Sequence, residues 1–508
     1  DPSLQSKSAA PAGRPSSAQA RHSAIDSGPT GGAPRAAGAE PAAGGPALAK
    51  VGYGDRDLTV VADYSARQWQ LLQTVDATDP AANQAVAARL VLLEQQRQNQ
   101  LRRLARERNI PFQEVTAAGH ARQLVGLRDG EPVYLQTTND VAAETTAADR
   151  VRRSTALDPV HGAQIDGRGL RVQIHDVGLV WTGHEEFRRP DGSSRVSYAY
   201  PETVVWDHAT HVTGTILAAG KDPDIQGMAP AAEAISLTGI NIAYMDYLAM
   251  GHPYHSDQTL LGNASLGFQG TEGGGYTSED ALLDELARSH PYFLMFFAAG
   301  NVGHNGWDSI QGQNLPKEAK SSITIGSVVD TTRDASGAIT SGATISNFSS
   351  LGPSDDGRIA PDLVANGQTV ESTSFNWIED PPYVSSTEVK NGTSMACPNA
   401  VGSALLLQDY HGKLFSGTPM PAQTLKALLI HTADDLGIAG PDYTHGWGLV
   451  DTHTAALILR GTADGSMPRA IGEGSLADGA TFQRRFTWDG TSPLRATCVW
   501  WDPALPEE

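Results

Sequence analysis

The chain has 508 residues, enough for roughly three domains at about 150 residues each. Its 37 Lys and Arg against 57 Asp and Glu leave a net charge of −20, and 40% of its residues are hydrophobic. That balance argues against a nucleic-acid partner, which needs clustered positive charge. No apolar run approaches the ~18 residues that span a bilayer. Two cysteines, Cys397 and Cys498, make neither a disulfide framework nor a zinc-ligand spacing. No charged-then-apolar signal segment opens the chain. What remains is a large, acidic globular protein able to bury a sizeable core.

Residues 1–50 contain 35 Ala, Gly, Pro or Ser and only three large aliphatics, Leu4, Ile25 and Leu48. Such composition cannot offset its ordering entropy, so residues 1–79 are expected to form a disordered leader and linker. From about Pro80, Val86, Leu90, Leu93, Leu101 and Leu104 fall on one helical face, with Pro111 beyond it. The stripe fits either a prosegment core or a partner-binding helix. Gln123 to Leu127 and Pro132 to Leu135 flank Asp129-Gly130 and predict a β-hairpin. Residues 80–138 thus read as a small α+β unit, and the polar run from Asn139 to Asp158 as a linker.

From about Gly167 to Leu459 strand and helix patterns alternate. Strands are expected at 170–174, 232–237, 293–299 and 322–329, and helices at 208–219, 279–289, 394–409 and 421–433. This alternation favours a parallel sheet covered on both faces. After Gly461, Phe482 to Trp488 and Leu494 to Trp501 predict two β-strands around Asp489-Gly490.

The strongest chemical signal is Asn391-Gly392-Thr393-Ser394-Met395-Ala396-Cys397-Pro398. A serine at a helix start meets unpaired N–H groups and a positive partial charge, which favour a developing oxyanion. Pro398 is expected in that first turn, where its missing N–H has no partner. A serine hydroxyl needs a neighbouring base. His208, in Asp207-His208-Ala209-Thr210-His211, is the candidate, and Asp176, just past a buried strand, is its candidate partner. The chain order Asp, His, Ser is that of subtilisin.

With these motifs the sequence resembles the subtilisin-like serine peptidases, or subtilases. Ala298-Ala299-Gly300-Asn301 is similar to their oxyanion segment, and Ser265-Leu266-Gly267 to their substrate-binding segment. Gly446 to Asp451 resembles the closing motif, and Phe348 to Pro353 with Ala360 to Asp362 the segment before the nucleophile. Cys498-Val499-Trp500-Trp501-Asp502-Pro503 and Asn139-Asp140-Val141-Ala142 resemble the large alkaline subtilases with a C-terminal β-barrel.

The resemblance implies an α/β fold. It would be a doubly wound, mostly parallel sheet with helices on both faces, after a small α+β prosegment and before the start of a β-domain. It assigns residues 1–79 to leader, 80–138 to an inhibitory prosegment, 139–460 to the catalytic domain and 461–508 to an incomplete β-sandwich or barrel. It also implies a secreted or periplasmic endopeptidase acting on protein or peptide substrates, with maturation near Thr138–Asn139. Asp176, His208 and Ser394 would be catalytic, with Asn301 in the oxyanion hole. Ser265, Leu266, Gly267, Ala298, Ala299 and Gly300 would bind substrate, with apolar residues preferred before the cut. The chemistry needs no cofactor. Structural calcium, with unassigned ligands, has candidate oxygens at Ser354-Asp355-Asp356 and Asp222-Pro223-Asp224.

Two residues depart from the pattern. Ala209 stands where glycine is usual and places a methyl beside the cleft, and Val177 stands where Thr or Ser is usual. Ala209 and the intact prosegment support an alternative, a catalytically silent subtilase fold used for binding or scaffolding. His208 and His211, at i and i+3, lack the third ligand and glutamate of a His-Glu-x-x-His metal site. His211 and His175 read as packing residues, and Cys397 as a small apolar one. A Cys397–Cys498 disulfide stays open at this point.

Overall fold

The computed structural model describes residues 48–53, 56–61, 99–115, 121–128, 131–136, 139–199, 205–240, 259–266, 276, 278–301, 303, 316–375, 384–477, 479–485, 487, 490–491 and 494–501. Before residue 139 these form an antiparallel sheet and one helix. β1 (Leu48–Tyr53) pairs with β2 (Arg56–Val61), and β3 (Gln113–Val115), β4 (Ala121–Arg128) and β5 (Glu131–Gln136) complete the sheet. The strands expected on either side of Asp129-Gly130 pair as β4 and β5, from Arg122↔Gln136 to Arg128↔Glu131.

Helix α1 covers residues 99–108 and ends where Asn109 takes a left-handed φ of 52°, which asparagine tolerates. Leu101 and Leu104 cluster with Leu124 of β4. Val86, Leu90 and Leu93 of the same stripe lie outside the described residues.

The leader needs correcting, because β1 and β2 fall inside residues 1–79. The Ala/Gly/Pro bias ends near residue 47, and Val51, Tyr53, Thr59, Val60 and Val61 bring the β-branched and aromatic side chains that ladders favour. The linker 139–158 is also corrected. α2 (Asn139–Thr145) buries Ala142 and Ala143, and Ala148, Val151 and Leu157 continue into the same core cluster. Its polar residues are satisfied internally: the Thr146 hydroxyl donates to Asn399 Oδ1 at 2.9 Å, and Asn399 Nδ2 donates to Ala142 O at 3.0 Å. Small alanines let this segment pack closely without a large apolar stripe.

The main sheet is built from β6 (Arg171–Asp176), β7 (Val196–Tyr198), β8 (Glu233–Thr238), β9 (Leu261–Ala264), β10 (Leu294–Ala298) and β11 (Ile323–Val328). A short hairpin, β12 (Thr332–Arg333) and β13 (Ile339–Ser341), precedes its last strand, β14 (Leu363–Asn366). The order is β14-β11-β10-β9-β6-β8-β7, with every neighbouring pair parallel. A separate hairpin, β15 (Val370–Phe375) and β16 (Ser385–Lys390), follows.

Among the described residues five helices accompany this sheet: α3 (Asp207–Leu217), α4 (Ser278–Ser289), α5 (Thr393–Leu414), α6 (Ala422–Thr432) and α7 (Thr452–Asp464). Alternation along β10 shows the layering. Leu294, Phe296 and Ala298 join the large cluster that includes side chains of α3, α5, α6 and α7. Met295 and Phe297 join a second cluster with Leu283 and Leu286 of α4. Both faces are therefore covered, as period-two burial in a parallel sheet requires. Chain order reverses between β6 and β9, and such switch points place ligand sites at the carboxyl ends of strands.

The two strands expected near the C-terminus are not formed among the described residues. Phe482 and Leu494 are exposed. The segment is instead pinned to α6. Arg495 Nη1 donates to His431 O at 2.9 Å, and Thr424 Oγ1 donates to Glu473 Oε1 at 2.7 Å. Cys397 is buried and Cys498 exposed, and both are free thiols. No described helix is long and apolar enough to cross a membrane.

Removing the Asn399 side chain takes from the Thr146 hydroxyl its 2.9 Å acceptor and from the Ala142 carbonyl its 3.0 Å donor, leaving only longer contacts. Asn399→Ala is expected to cost about 1–3 kcal/mol, read as a lower urea midpoint. An unchanged midpoint would show that α2 is not anchored this way.

Candidate active site

Asp176 is the last residue of β6 and is fully buried. Its Oδ1 accepts from the Val177 backbone N–H at 2.7 Å. His208, second residue of α3, brings Nδ1 within 2.9 and 2.8 Å of the two Asp176 oxygens. A carboxylate accepts only, so Nδ1 carries the proton there and Nε2 is left to exchange one. Burial works against charge on this imidazole, but the Asp176 charge and hydrogen bond outweigh it and raise the His208 pKa above its ordinary value.

Ser394 is the second residue of the 22-residue α5 and is half-buried. Its hydroxyl donates to Ser265 O at 3.2 Å, and the Ser265 hydroxyl donates back to Ser394 O at 3.0 Å. The second bond corrects the expectation for Pro398. That residue sits sixth in the helix, not in its first turn, so its missing N–H would have bonded Ser394 O. The Ser265 hydroxyl satisfies the carbonyl instead.

Asn301 lies just past β10. Its Oδ1 accepts from Thr393 N at 2.8 Å and from Thr393 Oγ1 at 3.0 Å, while Gly300 N donates to Thr393 Oγ1 at 3.0 Å. With its oxygen committed to Thr393, the amide keeps its NH2 side for other partners. A Cβ built on Gly392 would sit 3.4 Å from Asn301 Nδ2 and 3.6 Å from Ser394 N. Glycine at 392 therefore leaves open a small cradle flanked by two N–H donors, at a helix N-terminus that favours negative charge.

These positions fall at the carboxyl ends of β6, β9 and β10 and at the starts of α3 and α5. A model of the subtilase family matches residues 167–448, more than half of the sequence. The chain belongs to the subtilase family. Subtilisin DY of Bacillus licheniformis is 27% identical over 305 residues, 59% of this chain and 95% of that protein. Subtilisin E of Bacillus subtilis is 26% identical over 302 residues, 58% of this chain and 68% of its own length. Subtilisin Savinase of Lederbergia lenta is 27% identical over 301 residues, covering 58% and 93%. This subtilase is accordingly a serine endopeptidase with an α/β fold.

Of the six expected substrate-binding positions, Ser265, Ala298 and Ala299 are buried and Leu266 and Gly300 half-buried. Gly267 lies outside the described residues. The side chain of Ser265 braces α5, and Ala298 packs in the core. Ala209 is also fully buried in that core, so its methyl does not narrow the cleft. His211 is buried, with Nε2 shared between Glu388 O at 2.9 Å and Val370 O at 3.1 Å. Burial drives its pKa well below the usual value, so it is a neutral packing residue. His175 is buried likewise, its pKa pushed down to about 4.

Asp222 Oδ1 accepts from Asp224 N at 3.1 Å, and Asp356 is engaged by Ser354 Oγ and Arg358 Nε, both at 2.6 Å. Among the described residues, no cluster of three His, Cys, Asp or Glu could hold a metal. Sequence reasoning missed Thr393, the residue that brackets Asn301. Its signal was its place in Gly-Thr-Ser, beside the nucleophile candidate.

Gly300 has a φ of 117°, and a Cβ there would lie 2.8 Å from Ser350 Oγ. Gly300→Ala is expected to lower stability by about 1–3 kcal/mol in thermal unfolding. A variant as stable as the parent would mean that the segment relaxes freely.

Proposed function

We propose that this subtilase hydrolyses peptide bonds through Asp176, His208 and Ser394, with the oxyanion held by the Asn301 amide and the Ser394 backbone N–H. The observation that most supports the reading is the His208 Nδ1–Asp176 pair, together with Ser394 N and Asn301 Nδ2 bordering the space left by Gly392. In this reading the Ser394 hydroxyl turns from Ser265 O towards His208 as substrate arrives, since catalytic hydrogen bonds often tighten only in the complex. Ser394 Oγ attacks the scissile carbonyl while His208 Nε2 takes its proton. Asp176 holds the imidazole in the tautomer this needs and stabilises the imidazolium. The tetrahedral intermediate collapses when His208 passes that proton to the leaving amine. Water, activated by the same imidazole, then releases the acyl group.

The protein is made, in this reading, as a self-inhibited precursor. Residues 80–138 act as an intramolecular inhibitor, and maturation occurs near Thr138–Asn139. The docking of α2 supports this, because a chain beginning at Asn139 would keep its first helix anchored through Thr146 and Asn399. The substrate is an extended protein or peptide, and the enzyme is secreted or periplasmic. Small uncharged residues at 298–300 support a preference for apolar residues before the cut, and no cofactor takes part in the chemistry.

A fluorophosphonate probe should label Ser394, and Ser394→Ala should abolish both labelling and casein hydrolysis. Asn301→Ala should retain labelling but lose about 10²–10³ in kcat. A chain folded as here that never labels, even after removal of residues 1–138, would favour the silent binding fold. Because the base must be neutral, activity should fall on acidification through the raised His208 pKa. A substrate profile dominated by Lys or Arg before the cut would overturn the apolar preference.

A further inference from the structure

Asp207 and Lys390 are 183 positions apart in sequence, yet their side chains meet at the base of α3. Lys390 Nζ lies 2.9 Å from Asp207 Oδ2 and 2.9 Å from Glu388 Oε2. Asp207 opens α3 and directly precedes His208, and Lys390 closes β16, four residues before Ser394. The two side chains are only 23% and 18% exposed, so their charges act largely through protein. β16 reaches α3 a second time through Glu388 O and His211 Nε2.

We propose that Lys390 and Asp207 are positioning residues whose ion pair joins the helix start carrying His208 to the strand that delivers Ser394, and whose two charges bias the imidazole in opposite directions. The inference rests on His208 being the base of the reaction described above.

The groups facing the imidazole are Asp176 from β6, Asp207 and His211 from α3, and Lys390 and Glu388 from β16. His211 is neutral and contributes no charge. Burial disfavours imidazolium most, and Asp176 favours it. Lys390 then disfavours it, and Asp207 favours it. Both members of the pair stay ionised. Burial opposes charge on each, but Lys390 holds Asp207 low, while Glu388 and Asp207 hold Lys390 high. Cutting Lys390 therefore leaves Asp207 beside His208 without its counterion, and cutting Asp207 leaves Lys390 held by Glu388 alone.

This predicts opposite effects from the two halves of one contact. In full-length protein labelled with 13C-histidine, the His208 Cε1–H resonance, assigned by its loss in His208→Gln, reports the imidazole directly. Lys390→Met removes a repelling cation and exposes a carboxylate, so the titration and the acid limb of kcat/KM should move to higher pH. Asp207→Asn should move both to lower pH. Each displacement should be roughly half a pH unit or more, while Lys390→Arg should stay within about two tenths of the parent. A purely mechanical strap would weaken catalysis in both variants and leave the titration in place. No displacement, or displacement in the same direction in both, overturns the proposal. If the resonance moves as expected but the parent neither labels nor hydrolyses, the electrostatic pair stands and the peptidase assignment fails.

Discussion

The first turn of α5 is held against the carboxyl ends of β9 and β10 by a closed set of short polar contacts. Ser265 and Ser394 exchange hydroxyl-to-carbonyl bonds, and Thr393 is bracketed by Asn301 Oδ1 and Gly300 N. Each contact relieves a cost that the chain creates for itself. Pro398 removes the donor that would satisfy Ser394 O, and the helix start leaves N–H groups unpaired. The hydroxyl of Ser265 covers the first deficit, and the Asn301 carbonyl covers one of the second. Ser394 and the space beside Gly392 are thereby located by the same groups that make the helix start stable.

The parallel sheet supplies the frame for that turn. Burial on both faces fixes which residues of β6, β9 and β10 point into the core, and so where their carboxyl ends emerge. Asp176 ends β6 with no exposed surface, and its charge is met by the Val177 N–H and the His208 imidazole. An unpaired carboxylate there would be expensive, so the buried acid also fixes the ring that approaches it. The hairpin β15–β16 braces α3 from the other side: the Thr373 hydroxyl donates to Thr210 O at 2.7 Å and the Ser372 hydroxyl to His211 O at 2.9 Å. His208 is thus held by both its partner and its helix.

Segments outside the alternating pattern join the same body in different ways. α2 enters the core on alanines, with its polar groups paired to Asn399. The described residues after α7 form no strand, and the segment is tied to α6 through His431 and Thr424.

Periodicity was sufficient to place β6, β8, β10 and β11 and helices α3 to α6, because apolar alternation and helical stripes are local properties of the chain. The short strands β7, β9 and β14 and helix α7 it did not place. The motifs likewise singled out Asp176, His208, Ser394 and Asn301 as candidates, since each stands at an element boundary. Alanine-rich burial at 142–148 left no such stripe, and the apolar residues at 482–501 carried a strand pattern that the described residues do not form. What only the tertiary structure decided were the pairings between distant segments. Ser265 beneath Ser394, Thr393 around Asn301, and Lys390 against Asp207 each join residues more than ninety positions apart. A hydrogen bond or ion pair depends on distances of a few ångströms, and those exist only once the sheet has set its strand order.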